Sequence, residues 1–426
     1  MTETKDKICL YLALISPCIP KIGITPQITV FPAEFFWVLF SFYYISNYIK
    51  FKIQKYLLNI FGLFLLFTIV SFFYFEISIA SLLRCIKEIA YIPLVFIAYK
   101  SKWLQWKQLC YIFVVAVGIN IMFYFQKGIN LSSFSIWDTE SLFNGLSGKY
   151  FDLQSFSIVN MPRGSHGIWT IYCILAFVIA IFSYENKQIS TIIFVICFIL
   201  CVISVSFSVS REGLIVLLAV LVCYMYAKII SKSGSSILYI FILIGIILIG
   251  VYLVTLYGNN LAIVKKINYT QESIVNTGEE GNIQLRINGW IVYFKVLLSN
   301  PMMTIVGFGF NFNNYISYID FSVPFRYATI PESFFVECLM CGGITALYFG
   351  ILFWREFYKY ANSIKNRTIK YAVIGLWYGT LFGAIFSGAA IISDMLFGYL
   401  LIFLGILLRY NETNTTDYSQ IVSRRG

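Results

Sequence analysis

A single histidine, His166, serves the whole 426-residue chain. That argues against a multi-histidine zinc site or a histidine proton relay. Charge is scarce too, with Asp, Glu, Lys and Arg together at 12%. Several catalytic signatures are missing. Gly145 to Lys149 lacks the spacing of a phosphate-cradling loop. There is no Asp-x-Asp pair to hold a metal–nucleotide sugar, and no Gly-x-Ser-x-Gly elbow. ATP-driven transport by this chain alone is therefore disfavoured. The ten cysteines lie in or beside apolar runs, so neither a disulfide framework nor a thiolate metal site is expected. Nothing in the chain calls for a metal or a cofactor. No internal repeat and no low-complexity tract is visible.

What is abundant is apolar surface. The chain is 59% hydrophobic and 19% aromatic, with a mean hydropathy of +0.79. Runs of about 20 apolar residues recur from end to end, each long enough to cross a bilayer as a helix. The expected fold is all-α: a polytopic integral membrane protein, one domain over residues 1–426. The net charge of +11 is no nucleic-acid signature, because the basic residues sit in short loops beside the spans. The first residues imitate a signal peptide, with Lys5 and Lys7 before an apolar stretch. Pro17 just before Cys18 argues against cleavage, so an uncleaved first span is expected.

Hydropathy predicts about twelve transmembrane helices. They cover roughly residues 8–19, 30–48, 56–74, 77–98, 109–125, 167–183, 189–207, 213–230, 237–256, 333–353, 371–387 and 389–408. Positive residues in short loops orient them. With the N-terminus cytoplasmic, the inner loops hold Lys50, Lys52, Lys55, Lys100, Lys102, Lys107, Lys187, Lys228 and Lys232. They also hold Arg355, Lys359, Lys365, Arg367 and Lys370, and the tail adds Arg409, Arg424 and Arg425. Both termini are then cytoplasmic. Two long loops, about 126–166 and 257–332, face outward.

The Ser210-Arg211-Glu212-Gly213 turn also falls on that outer face. A charge at bilayer depth costs about 2.5–3.5 kcal/mol on insertion scales, and far less at the interface. The second long loop contains Ile283, Ile287, Trp290, Ile291, Phe294 and Leu298 at helical spacing, with Gln284, Asn288 and Lys295 opposite. That pattern predicts an amphipathic helix on or just above the outer membrane surface. Asn300-Pro301 ends it, and Gly307-Phe308-Gly309 follows as a turn.

Arginine gathers on the outer face: Arg163, Arg211, Arg286 and Arg326. Guanidinium groups grip pyrophosphate through paired hydrogen bonds and keep their charge. The competing reading is that each reaches to lipid headgroups. Glu332, in Ile330-Pro331-Glu332-Ser333, suits either helix-start chemistry or proton abstraction from a sugar hydroxyl. Glu337 is an alternative carboxylate. Arg84, Lys87 and Glu88 lie in the outer half of a span, as an internal ion pair or a lipid-phosphate contact. His166 and Asp394 read as an interfacial side chain and an interhelical partner.

Three stretches resemble the O-antigen polymerase family, within the superfamily that includes O-antigen ligases. They are Phe207-Ser208-Val209-Ser210-Arg211-Glu212-Gly213-Leu214; Arg286-Ile287-Asn288-Gly289-Trp290 with Asn300-Pro301 and Gly307-Phe308-Gly309; and Pro331-Glu332-Ser333-Phe334-Phe335 leading to Gly342-Gly343-Ile344. The resemblance implies a metal-independent, GT-C-like glycosyltransferase of the bacterial inner membrane, with long periplasmic loops. It would join oligosaccharide repeat units carried on undecaprenyl pyrophosphate. Glu332, Arg211 and Arg286 would be catalytic, and Arg163, Arg326, Trp290, Arg84 and Lys87 would bind substrate. Its partners would be the lipid-linked oligosaccharide, membrane lipids and a chain-length regulator, with no nucleic acid. Ligases of the superfamily carry a His-Asn pair where this chain has Glu332-Ser333, and no histidine follows His166. A ligase is therefore the less favoured reading. A flippase for the same lipid-linked sugar is the non-enzymatic rival.

Overall fold

In lipid, every backbone N–H and C=O has to be satisfied within the chain, and a helix does this for one apolar run at a time. The computed structural model describes residues 93–101, 105–127, 166–207, 211–231, 282–309, 333–386 and 401–410. It also describes strands at 21–25, 28–30 and 133–135 and a few isolated positions before residue 93. The helices are α1 (Pro93–Lys100), α2 (Trp106–Lys127), α3 (His166–Glu185), α4 (Thr191–Phe207) and α5 (Arg211–Ile230). They continue with α6 (Asn282–Ser299), α7 (Pro301–Val306), α8 (Phe334–Asn362), α9 (Arg367–Phe386) and α10 (Leu401–Tyr410). Among the described residues, three helices are long and apolar enough to cross a membrane: α5, α8 and α9. The expected spans 8–19, 30–48, 56–74 and 237–256 lie essentially outside the described residues, as do most of 77–98 and residues 389–400 of the span 389–408.

The described part departs from an all-α chain in one small sheet. Strands β1 (Lys21–Thr25), β2 (Ile28–Val30) and β3 (Ser133–Ser135) pair in the order β2-β1-β3. β1 and β3 run parallel, with Lys21 opposite Ser133 and Gly23 opposite Ser135. The pairing joins the short turn near residue 21 to the loop 126–166. Both belong to one face in the sequence-based topology. Strand pairing between distant loops leaves no mark in hydropathy, so no strand is expected from the sequence.

α3 is the centre of the bundle, buried at every residue from Thr170 to Ser183. A helix apolar on all sides has to be surrounded. On its neighbours the outward sides stay apolar. Ile192, Val195, Ile196 and Ile199 of α4 are exposed, as are Leu218, Val222 and Tyr226 of α5. Such stripes in water would be association surfaces, whereas in a bilayer they are the solvated side.

α5 and α9 run antiparallel with their backbones nearly touching. On α9 Gly375, Gly379 and Gly383 recur every fourth residue and face Ala219, Val216 and Glu212 of α5. A Cβ at Gly375 would lie 2.6 Å from the Ala219 carbonyl oxygen, and one at Gly379 would lie 2.7 Å from Val216 Cα. Small residues at this spacing allow the close approach that drives helix association in lipid, where apolar burial supplies no drive between helices.

One end of the bundle collects the turns predicted to be cytoplasmic. Lys228 of α5 pairs with Glu185 at 2.7 Å, and Tyr224 donates to the same carboxylate at 2.9 Å. The Lys107 backbone N–H donates to Gln188 Oε1 at 3.3 Å, and Arg409 donates to the Ser101 carbonyl. Trp106 stacks on Phe182 at 4.2 Å, and Tyr226 meets Tyr371 at 5.5 Å. The opposite end carries the starts of α3 and α5 and the end of α9.

Candidate functional site

At that opposite end, α5 begins at Arg211. Gly213 lets α5 close on α3, because a Cβ there would lie 2.4 Å from Thr170 Cβ. The first turns of α3 and α5 thereby lie close together. Glu212 stands in the first turn of α5, where the helix dipole favours a carboxylate. Its Oε1 is buried, and a Cβ at Gly383 would come within 2.3 Å of it. The sequence reading places both charges in a turn at a membrane face, and the structure adds that the Glu212 carboxylate oxygen is buried. The carboxylate is tucked between two helices. The Gly-x3-Gly-x3-Gly spacing of α9 was the signal that could have revealed this seat.

The second half of the site is built around a break in α8. Gly342 and Gly343 leave helical geometry, with φ −141 and +63. The segment before the break is α8a (residues 334–341), and the segment after it is α8b (residues 344–362). Twenty residues of unbroken helix would separate Phe334 from Trp354 by about 30 Å. Their rings instead lie 6.4 Å apart, and a Cβ on Gly350 would sit 3.0 Å from Phe334 Cε1. α8a therefore folds back along α8b. The expectation of one crossing over 333–353 is corrected: hydropathy counts apolar residues but cannot see the chain reverse at a glycine pair.

The loop after α7 fills the break. Phe308 and Gly309 donate their N–H groups to the carbonyls of Met340 and Cys341 at 2.7 and 2.8 Å. Thr345 Oγ1 donates to the Ile305 carbonyl at 3.2 Å. Gly307, at φ +74, lies against Gly342, where a Cβ would meet backbone nitrogen at 2.3 Å. α6 packs on the same unit: Val292, Tyr293, Val296 and Leu297 form a core with Phe308, Val336 and Met340, flanked by Trp290.

This packing reassigns the faces of α6. Asn288, expected on the solvated side, is 7% exposed and accepts from Gln284 Nε2 at 2.9 Å. Ile287, Ile291, Phe294 and Leu298 form the exposed stripe. Helical spacing puts Arg286 on the packed side with Tyr293, and its Nε is buried. That geometry disfavours a simple headgroup anchor for Arg286.

Arg286 and Trp290 are thus brought into one unit with the segment following Glu332. Ser333 is 2% exposed, and α8a runs from it toward the end where Arg211 lies. Glu337 is half-buried on α8a, nearer that end than Ser333 rather than deeper, which reverses the order a single span would give. Glu332, Arg163, Arg326, Arg84 and Lys87 lie outside the described residues, as do Asp394 and the side chains of Arg211 and His166. A small cavity between α2, α3 and α10, lined by Leu109, Phe113, Tyr172, Ile402 and Phe403, offers apolar surface and little chemistry. No protein-family model matches the chain, and no curated protein matches it.

Proposed function

We propose that the chain is an O-antigen polymerase of the bacterial inner membrane. Both termini would be cytoplasmic, and the Arg211 end would face the periplasm. The donor is a growing glycan on undecaprenyl pyrophosphate, and the acceptor is one repeat unit on the same carrier. A lipid-linked donor suits that compartment, which has no supply of nucleotide sugars. The acceptor hydroxyl oxygen bonds to the donor anomeric carbon as the bond from that carbon to pyrophosphate breaks. Glu332, or its neighbour Glu337 on α8a, takes the hydroxyl proton. Arg211 and Arg286, with Arg163, offset the charge that grows on the departing pyrophosphate, and Arg326 helps bind the substrate. The observation that carries this reading is the packing of α6, the helix that carries Arg286, onto Val336 and Met340 of α8a, with Trp290 alongside. It supports joint action by a cation and a carboxylate segment far apart in sequence.

Purified protein and lipid-linked repeat units test the proposal directly. The parent should lengthen the glycan. Arg211→Ala should abolish lengthening, and Arg211→Lys should also be impaired, since lysine keeps charge but loses the planar fork. Full-length product from both variants would reduce Arg211 to an anchor. In cells lacking the gene, a lipid core bearing one repeat unit supports a polymerase. Bare core with polymer left on the carrier indicates a ligase, and repeat units trapped inside indicate a flippase.

Orientation has its own measurement. Cysteines placed at Ser155 and Thr277 should both react with an impermeant maleimide in cells whose inner membrane is intact. Reaction at 277 only after that membrane is opened would invert the topology.

A further inference from the structure

α9 gives a ruler for depth. It runs from Arg367 to Phe386, and Trp377 lies halfway along it. Trp377 Nε1 donates to the Trp354 carbonyl at 2.9 Å, so Trp354 of α8b sits at mid-span. Phe334, the first residue of α8a, has its ring against Trp354. α8a therefore starts near the middle of the span and climbs to the Arg211 end, where Gly342 and Gly343 turn the chain into α8b. α6 and α7 pack on α8a and flank it.

Two further observations concern this unit. Its irregular backbone is closed internally. Gly307 donates its N–H to Met303, Phe308 to Met340 and Gly309 to Cys341, while Asn300 Nδ2 donates to the Val296 carbonyl at 2.8 Å. Broken backbone at membrane depth requires such closure, whereas a loop in water does not. Its outward side is apolar and continuous. Ile287, Ile291, Phe294 and Leu298 of α6 lead to Met302 and Ile305 of α7, all 40% or more exposed. Thr345 bonded to Ile305 joins that strip to Ile344, Tyr348 and Ile351 of α8b, which are exposed to a similar degree.

We infer that α6, α7 and α8a form a re-entrant wedge embedded in the bilayer, and that the partner of the exposed strip is lipid acyl chain. The inference rests on the membrane reading alone and is independent of the polymerase reaction.

The test uses the full chain in phosphatidylcholine–phosphatidylglycerol nanodiscs. Nitroxides are attached at Phe294→Cys and Leu298→Cys, and the parent with its native cysteines supplies the background. Leu218→Cys on α5 is the lipid reference, and Thr277→Cys in the preceding loop is the aqueous reference. Collision with oxygen relative to a nickel chelate should be several-fold higher at 294 and 298 than at 277, and should match 218. Values at 294 and 298 equal to those at 277 would overturn the wedge. A variant that needs no label covers a folding failure. Leu298→Gln should lower the yield of folded protein several-fold if the strip meets lipid. An unchanged yield would count against it.

Discussion

Glu332→Gln is expected to slow glycan transfer by roughly 100- to 10,000-fold, the usual loss when a general base is removed. Glutamine keeps the shape of the side chain and loses its charge. A lost favourable charge at a helix start costs only about 0.3–1 kcal/mol, so protein level should stay near the parent's. The measurement is initial rate with purified lipid-linked repeat units, normalised to folded protein. Glu337→Gln is the paired variant, because α8a carries Glu337 closer to the Arg211 end than Ser333. Loss at 332 with activity within a few-fold at 337 supports the assignment. The reverse result moves the base to Glu337. Near-parent activity in both would leave the arginines alone to activate the leaving group.

Gly343→Ala is expected to be among the most damaging additions of a single methyl group in the described structure. The residue sits at φ +63 and ψ −159, a region essentially reserved for glycine that costs an L side chain about 1–3 kcal/mol. Its Cβ would also stand 2.3 Å from the Ile305 carbonyl oxygen, and rigid backbone lies on both sides. The loop at 307–309 would have to leave the break, exposing the carbonyls of Met340 and Cys341. An unsatisfied buried group costs about 1–3 kcal/mol. Hydrogen exchange should show the Phe308 and Gly309 amides losing protection, together with a drop in thermal stability. Gly350→Ala is the control: its Cβ would meet the edge of the Phe334 ring at 3.0 Å, and a ring can shift. Parent-like protection in Gly343→Ala would mean that the break is soft.

Much of the helical layout was legible from apolar runs alone. The runs 167–183, 189–207 and 213–230 became α3, α4 and α5, because a stretch that long has one way to satisfy its backbone in lipid. The loop helix expected at 283–298 is α6 at Asn282–Ser299. Its partners were not legible. Val292, Tyr293, Val296 and Leu297 lie off the apolar stripe that periodicity picks out, so periodicity could not mark them as the side that meets Val336 and Met340. Asn288 misled for the same reason: a polar residue on a helix reads as solvated until its hydrogen-bond partner, here Gln284, is seen. The reversal at Gly342-Gly343 was hidden because α8a and α8b are apolar on either side of it. At the site, the Arg211 turn was marked by charge in an apolar chain. The seat of Glu212 depended on Gly383, far away in sequence, and only spacing within α9 hinted at it.

The reversal in α8 also has a consequence for how the chain is made. Residues 334–341 span roughly 12 Å as helix, well short of the length a lone segment needs to cross a bilayer. Insertion machinery scanning the nascent chain meets a stretch from Phe334 onward that looks like one crossing. α6 and α7 have by then been synthesised and have no partner. The wedge therefore closes only when α8 buckles at its glycine pair and presents Val336 and Met340 to α6. Assembly of this unit cannot precede synthesis of α8, because Val336 and Met340 supply the partners of α6. A chaperone or lipid that delays it would leave a protein with its helices formed and the core between α6 and α8a unpacked.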